Sequence, residues 1–146
     1  MLVHLEFNLF QEANRLNIYD KYFDKASALG VTLEDFYQGV NIFLDSHPKL
    51  NFDEGYLRPA DFLEFCNLIK VSPNKLYDKY YRFVLSKNYS EIMLKHRQSL
   101  NLNQKDFAKL AKLSPVTIGL IENNKKYPTR KQFSQLMNVI KWLYIY

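Results

Sequence analysis

The chain has 146 residues, 47% hydrophobic and 16% aromatic, enough to fill one core or two small ones without disulfides or a metal. Its four glycines and five prolines are too few for the turn-rich alternation of a β-sandwich or barrel. The net charge of +5 is uneven: residues 91–146 carry ten basic and three acidic side chains, and residues 1–90 carry ten basic and twelve acidic ones. Only the C-terminal part therefore suits a polyanionic partner.

No apolar run approaches the roughly 20 residues that span a bilayer, and the first residues lack the basic region of a signal peptide. The single cysteine, Cys66, lies in an apolar helical pattern, which favours a buried structural thiol over a reactive one. We therefore expect a cytoplasmic protein with no membrane partner.

Apolar residues recur at spacings of three and four, which predicts an all-α fold. In the N-terminal part, Gly30 is suited to end one helix, and Thr32 with Asp35 three residues later is suited to begin the next. Residues 46–56 are rich in turn-forming residues and are predicted to be a loop. We place this N-terminal helical domain at residues 1–88, with predicted helices over 3–17, 19–29, 32–45, 60–70 and 75–86.

The remaining residues, 89–146, form the predicted C-terminal domain, with helices over 90–100, 104–111, 115–122 and 130–143. Asn103 and Ser114 are helix-capping residues, and Pro115 occupies a first helical position, so the corner between the second and third helices is well determined. The apolar residues expected to pack around this corner are Leu102, Phe107, Leu110, Ala111, Leu113, Ile118 and Ile121. This pattern predicts a helix-turn-helix.

Residues from about 90 to 142 resemble the lambda-repressor/Cro-type, or Xre-type, helix-turn-helix family. The resemblance depends on Leu102-x-Gln104, Ala108, Leu113-Ser114, Ile118, Ile121-Glu122, Asn124-Lys125-Lys126 and Pro128. It implies that the third helix lies in the major groove of double-stranded DNA, between two groups of phosphate contacts. The DNA-binding residues it implies are Gln104, Lys105, Ser114, Pro115, Val116, Thr117, Leu120, Asn123, Asn124, Lys125 and Lys126.

The sequence departs from that family where bases would be read. Only Thr117 can hydrogen-bond a base edge through its side chain, while Val116 and Leu120 can contact thymine methyl groups. Lys112 stands where the family usually has glycine in the turn. Two interpretations therefore stay open: a DNA-binding, repressor-like transcriptional regulator of bacterial, phage or mobile-element type, and a protein-binding module such as an antitoxin or phage-encoded inhibitor. The family often forms homodimers, so we expect a homodimer or another protein partner.

The N-terminal part contains segments that resemble the C-terminal unit. Residues 61–71 align with 132–142 at a constant offset, and residues 26–32 align with 108–114. Either the N-terminal domain is a degenerate copy of the helix-turn-helix, or two amphipathic helices match by chance. In a true copy, Glu34 and Asp35 would face phosphates and be repelled, so that copy should bind protein.

Sequence motifs for other chemistry are absent. The three histidines, His4, His47 and His96, have no partner at ligand spacing, so we expect no metal site and no cofactor. Neighbouring carboxylates such as Glu34-Asp35 favour capping over acid–base catalysis, and phosphate-binding and nucleophile motifs are missing. We do not expect an enzyme.

Overall fold

The computed structural model describes the backbone of residues 2–140 and the side chains of residues 9–140. The chain forms two compact units, residues 1–77 and 78–146. Within the described residues, β-structure is limited to one small two-stranded sheet, which confirms the all-α prediction. No helix in this part of the chain is long and apolar enough to cross a membrane.

The N-terminal unit begins with one continuous helical run in place of the two predicted helices. Its elements are α1 (Leu2–Ile18), a π-helical turn (Tyr19–Phe23), α2 (Asp24–Ala28), α3 (Leu33–Ser46), β1 (Phe52–Asp53), β2 (Tyr56–Leu57), α4 (Pro59–Leu68) and a 3₁₀ turn (Pro73–Lys75). The π-helical turn contains buried Tyr22. The hydroxyl of Tyr22 accepts a hydrogen bond from the backbone N–H of Leu57 at 2.9 Å, and this bond connects the helical run to β2.

A short hairpin lies within the segment predicted to be a loop. Phe52 pairs with Leu57 in antiparallel register, and the two turn residues, Glu54 and Gly55, both have positive φ angles, 51° and 83°. Such a turn matches the twist of a two-residue hairpin, and its strands are too short to be recognised by alternation. Leu57 is fully buried, so the hairpin is anchored to the core of the N-terminal unit.

Aromatic rings fill the core between α3 and α4. Phe36 and Phe43 of α3 contact Phe65 of α4 edge-on, with ring centroids 5.6 and 5.7 Å apart. The two helices approach closely at Gly39, where an added Cβ would lie 2.6 Å from Cγ2 of Ile69. A side chain larger than hydrogen therefore does not fit at this position.

The C-terminal unit begins earlier than the predicted boundary at residue 89. It contains α5 (Lys79–Val84), α6 (Tyr89–Ser99), α7 (Gln104–Ala111), α8 (Pro115–Glu122) and α9 (Arg130–Val139). The helix predicted over 75–86 is interrupted because Asp78 caps α5, accepting from the N–H of Tyr81 at 2.9 Å. The second oxygen of Asp78 pairs with Arg130 of α9 at 2.6 Å, which attaches α5 to the C-terminal unit.

The corner between α7 and α8 has the predicted helix-turn-helix geometry. Lys112 is left-handed, with φ 58° and ψ 39°, and therefore adopts the conformation for which this family favours glycine. The N–H of Leu113 donates to the carbonyl of Ala108 at 2.9 Å, and Ser114 Oγ accepts from the N–H of Thr117 at 3.1 Å. The turn is thus closed on both sides by hydrogen bonds.

The corner between α2 and α3 repeats this arrangement at the aligned positions. Gly30 has φ 96°, the N–H of Val31 donates to the carbonyl of Ala26 at 3.0 Å, and Thr32 Oγ1 accepts from the N–H of Asp35 at 3.1 Å. The aligned apolar pairs of α4 and α9 are also buried in their own units: Phe62 and Phe133, Phe65 and Leu136, Ile69 and Ile140. A left-handed residue, the same type of hydrogen bond and a capping side chain also occur between α6 and α7, at Asn101, Leu102 and Asn103, so the corner does not distinguish a degenerate copy from chance similarity.

Four of the seven residues predicted to pack around the corner are buried, namely Phe107, Ala111, Ile118 and Ile121, and Leu102 and Leu113 are half-buried. The prediction for Leu110 is wrong, because its side chain is 57% exposed. At about 100° per residue, Leu110 lies about 80° away from the centre of the face that Phe107 and Ala111 define. Helix α9 ends at Val139, and Ile140 is extended; the rest of the predicted continuation to residue 143 lies outside the described residues.

Replacing Gly39 by alanine should destabilise the N-terminal unit by about 1–3 kcal/mol, because the new methyl group overlaps the buried, branched side chain of Ile69. Gly119→Ala is the matched control: it is also a helical glycine, but its added Cβ meets only Gln104 at 3.7 Å. That substitution should stabilise α8 by up to about 1 kcal/mol through helix propensity. Urea unfolding of the full chain measures the change in the free energy of unfolding for each variant. Changes of the same sign in the two variants would contradict the close approach of α3 and α4.

Candidate nucleic-acid interface

A buried carboxylate joins the three helices that form the interface. Glu122, at the end of α8, has a side chain only 3% exposed. Arg97 of α6 donates to it twice, from Nε at 2.7 Å and from Nη2 at 3.1 Å, and Gln104 of α7 donates at 3.0 Å. The third donor group of Arg97, Nη1, reaches the carbonyl oxygen of Leu102 at 2.8 Å. The burial is tolerated because the charge is paired and its lone pairs accept hydrogen bonds.

This network also determines what Gln104 can offer to a phosphate. Its side-chain nitrogen is held by Glu122, and its side-chain oxygen lies over Gly119 of α8. The groups that remain are the second amide hydrogen and the free backbone N–H groups in the first turn of α7. A phosphate contact by Gln104 stays a prediction, and the structure gives its side chain a positioning role as well.

Exposed lysine side chains lie at the start of α7 and directly after α8. Lys105 lies in the first turn of α7, and Lys125 and Lys126 follow α8. No ion pair joins these three lysines to any residue in the described part of the chain. Their charges are therefore available to an external anion.

The loop that follows α8 is anchored at both ends. Asn124 is left-handed, with φ 57°, and the N–H of Lys125 donates to the carbonyl of Leu120 at 2.9 Å. At the far end, Tyr80 of α5 donates from its hydroxyl to the carbonyl of Pro128 at 2.6 Å. Because both ends are attached to buried structure, Asn123, Asn124, Lys125 and Lys126 are presented on a short, defined loop.

The exposed face of α8 is mostly apolar. Val116 is 71% exposed and Leu120 is 39% exposed, and Pro115 is also on the surface. The hydroxyl of Thr117 lies 2.8 Å from Ser114 Oγ, so the only side chain predicted to hydrogen-bond a base already has an internal partner. The predicted DNA-binding residues are all exposed or half-buried, and there is no polar base reader among those on α8 besides Thr117.

Arg97 and Tyr80 are the contributors to this interface that the sequence did not reveal. Arg97 is 25 positions from Glu122, and Tyr80 is 48 positions from Pro128. Neither pair has a local spacing that periodicity can detect, because both contacts depend on how separate helices pack. Tyr80 also packs on Phe133 and under Arg130, which places it in the core of the C-terminal unit.

Two further predictions concern the N-terminal unit. Cys66 is fully buried, and burial raises the pKa of its thiol to about 12, which confirms an unreactive structural residue. The prediction that the histidines lack partners is wrong for His47, whose Nε2 lies 2.8 Å from Glu64 and 3.6 Å from Asp61. His47 and these carboxylates are far apart in sequence and meet because α3 packs on α4.

Glu122→Ala should destabilise the C-terminal unit by about 3 kcal/mol, since it leaves the Arg97 guanidinium without its counter-charge in a largely buried site. Glu91→Ala is the matched control, because Glu91 pairs with Lys95 on an exposed surface and should cost less than about 0.5 kcal/mol. Chemical denaturation of each variant tests the difference. Equal losses would show that the buried network contributes no more than a surface ion pair.

Comparison with known families identifies the C-terminal segment. Residues 93–141 match the family model described as helix-turn-helix. Searches of curated proteins and of solved structures gave no match. The matched residues contain α7, the left-handed corner at Lys112, α8 and α9. This segment of the chain is therefore a helix-turn-helix of the Xre, or lambda-repressor, type, a family of DNA-binding regulators.

Proposed function

We propose that the chain is a repressor-like transcriptional regulator of bacterial, phage or mobile-element type, which binds double-stranded DNA as a cytoplasmic homodimer and catalyses no reaction. The observation that carries this proposal is the set of exposed lysines at the start of α7 and directly after α8, together with the exposed face of α8. In helix-turn-helix proteins, the helix that corresponds to α8 enters the major groove. Residues at the start of the preceding helix and in the loop after the groove-bound helix contact the phosphate backbone.

The charges fit a phosphate-dominated mode of binding. Exposed lysines lie at the start of α7 (Lys105) and after α8 (Lys125 and Lys126). The outer face of α8 itself carries no charge. Each neutralised phosphate releases condensed counterions. The affinity for DNA should therefore come mainly from these lysines and should depend on the salt concentration. Sequence preference would come from Val116, Thr117 and Leu120, through methyl contacts and one hydroxyl, and should be modest.

Binding of the full chain to a short duplex should weaken steeply as salt is raised. The reason is that binding releases cations condensed on the DNA, and this release is less favourable at a higher salt concentration. Replacing Lys125 and Lys126 together with alanine should reduce the slope of log K against log salt by about 2, one for each lost phosphate contact. The loss of affinity should be similar for unrelated duplexes, and fluorescence anisotropy at several salt concentrations measures it.

The control for that experiment is Lys25→Ala with Lys49→Ala. These are two exposed lysines of the N-terminal unit, so this double variant changes the net charge by the same amount as replacing Lys125 and Lys126. It should leave the salt slope unchanged. Full-chain binding that does not depend on salt, or equal effects of the two double variants, would contradict the proposed interface.

A protein-binding role for α8 is the second candidate. Val116 and Leu120 expose apolar surface where a base-reading helix usually carries polar side chains, and the hydroxyl of Thr117 is engaged by Ser114. Exposed apolar side chains on one helix face are typical of a protein contact. Under this candidate, the same fold would act as an antitoxin or as an inhibitor of another protein.

The N-terminal unit is proposed to bind protein under either candidate. Its third helix, α3, begins with exposed Glu34 and Asp35, which repel phosphate. The same helix exposes Leu33, Tyr37 and Ile42 by 62%, 50% and 56%. Acidic and apolar side chains together suit a protein surface, of a second subunit or of another partner.

Substituting the exposed apolar residues of α8 separates the two candidates. If α8 reads DNA, Val116→Ala with Leu120→Ala should reduce the preference for a selected duplex over an unrelated one several-fold, while affinity for the unrelated duplex stays constant. Leu110→Ala is the control, because Leu110 is equally apolar and 57% exposed on α7. The duplex is first selected from a random library with the unmodified chain. Unchanged preference in the α8 variant would favour the protein-binding candidate.

A further inference from the structure

A histidine and two carboxylates from separate helices converge on the surface of the N-terminal unit. His47 follows the end of α3, and Asp61 and Glu64 lie one turn apart on α4. The imidazole Nε2 is 2.8 Å from Glu64 Oε2 and 3.6 Å from Asp61 Oδ1. The ligand atoms of all three side chains lie within 4.8 Å of one another. We call these three residues the His47 cluster.

The imidazole ring is held in one orientation by groups outside the cluster. It stacks on the ring of Phe43, with centroids 4.3 Å apart and an interplanar angle of 22°. Its Nδ1 lies 2.9 Å from the carbonyl oxygen of Phe43 and 3.1 Å from Ser46 Oγ. The serine hydroxyl lies within donating distance of the same carbonyl, at 3.0 Å.

These contacts favour one tautomer of the ring. The carbonyl oxygen of Phe43 can only accept a hydrogen bond, so a hydrogen on Nδ1 has an acceptor at 2.9 Å. Nε2 then faces two carboxylates, which are also acceptors when ionised. In this tautomer the lone pair of Nε2 is directed at the two carboxylates, and a metal cation can be bound between these atoms.

The arrangement has the features of a metal ligand set. Metal-binding histidines commonly donate their other N–H to a backbone carbonyl, which fixes the tautomer and the direction of the free nitrogen. Imidazole nitrogen with carboxylate oxygen is a usual donor set for Zn²⁺, whereas Ca²⁺ and Mg²⁺ prefer oxygen ligands alone. Bond lengths near 2.0–2.1 Å require ligand atoms roughly 3.3 Å apart, and the half-exposed side chain of Glu64 can move to meet this.

We propose that the His47 cluster binds one divalent transition-metal ion of the Zn²⁺ type, through His47 Nε2, Asp61 and Glu64, with solvent completing the coordination. The ion joins the end of α3 to the first turns of α4 and closes the segment that contains the β1–β2 hairpin. It therefore stabilises the N-terminal unit. The site lies in the N-terminal unit, whereas the proposed DNA-binding residues all belong to the C-terminal unit.

Titration of the untagged full chain with ZnCl₂ by isothermal titration calorimetry tests the proposal. We expect one ion per chain and an increase in the thermal unfolding midpoint of the N-terminal unit. His47→Gln and Glu64→Gln should each weaken binding about tenfold or more. MgCl₂ and CaCl₂ should not compete at the same concentrations.

Two control variants keep the titration interpretable. His96→Gln and Glu91→Gln remove a histidine and a carboxylate of the C-terminal unit and should leave the zinc affinity unchanged. Far-UV circular dichroism confirms that each variant is folded; if His47→Gln is not, Glu64→Gln and Asp61→Asn decide the result. Absent zinc binding, or affinity equal in the cluster variants and the controls, overturns the proposal.

Discussion

The buried carboxylate of Glu122 is the constraint on which the helix-turn-helix unit depends. A charge with a side chain only 3% exposed is stable only when it is paired, and Arg97 and Gln104 supply donors from two other helices. Their three contacts connect α6, the start of α7 and the end of α8. The exposed residues of α8 and the lysine at the start of α7 are thus held on one rigid support, which is what a surface complementary to a duplex requires.

The two units use the same corner on differently charged surfaces. Both have a left-handed residue, Gly30 or Lys112, followed by a hydroxyl that caps the next helix. Beyond the corner, the N-terminal unit presents Glu34 and Asp35, whereas the C-terminal unit is flanked by lysines. The backbone geometry alone therefore does not determine the partner, because phosphate affinity depends on the charges that the geometry presents.

Local rules were sufficient for most helices and for the corner. Caps such as Asn103 and Ser114, the proline after Ser114 and the apolar spacing depend on residues within one or two turns, so they can be predicted from neighbouring residues. They failed at two positions. The helix predicted over 75–86 is interrupted because Asp78 caps α5, and Leu110 is exposed because the packing of α7 centres on a different line of residues.

By itself, the sequence determined the all-α class, the helix-turn-helix corner and the asymmetric charge, since each follows from composition and short-range spacing. Only the tertiary structure decided which polar side chains meet. It joined Arg97 to Glu122 across 25 positions and brought His47 to Glu64 across a hairpin. Such contacts carry no periodic signal, because they arise when separate helices pack and place side chains from distant positions within hydrogen-bonding distance.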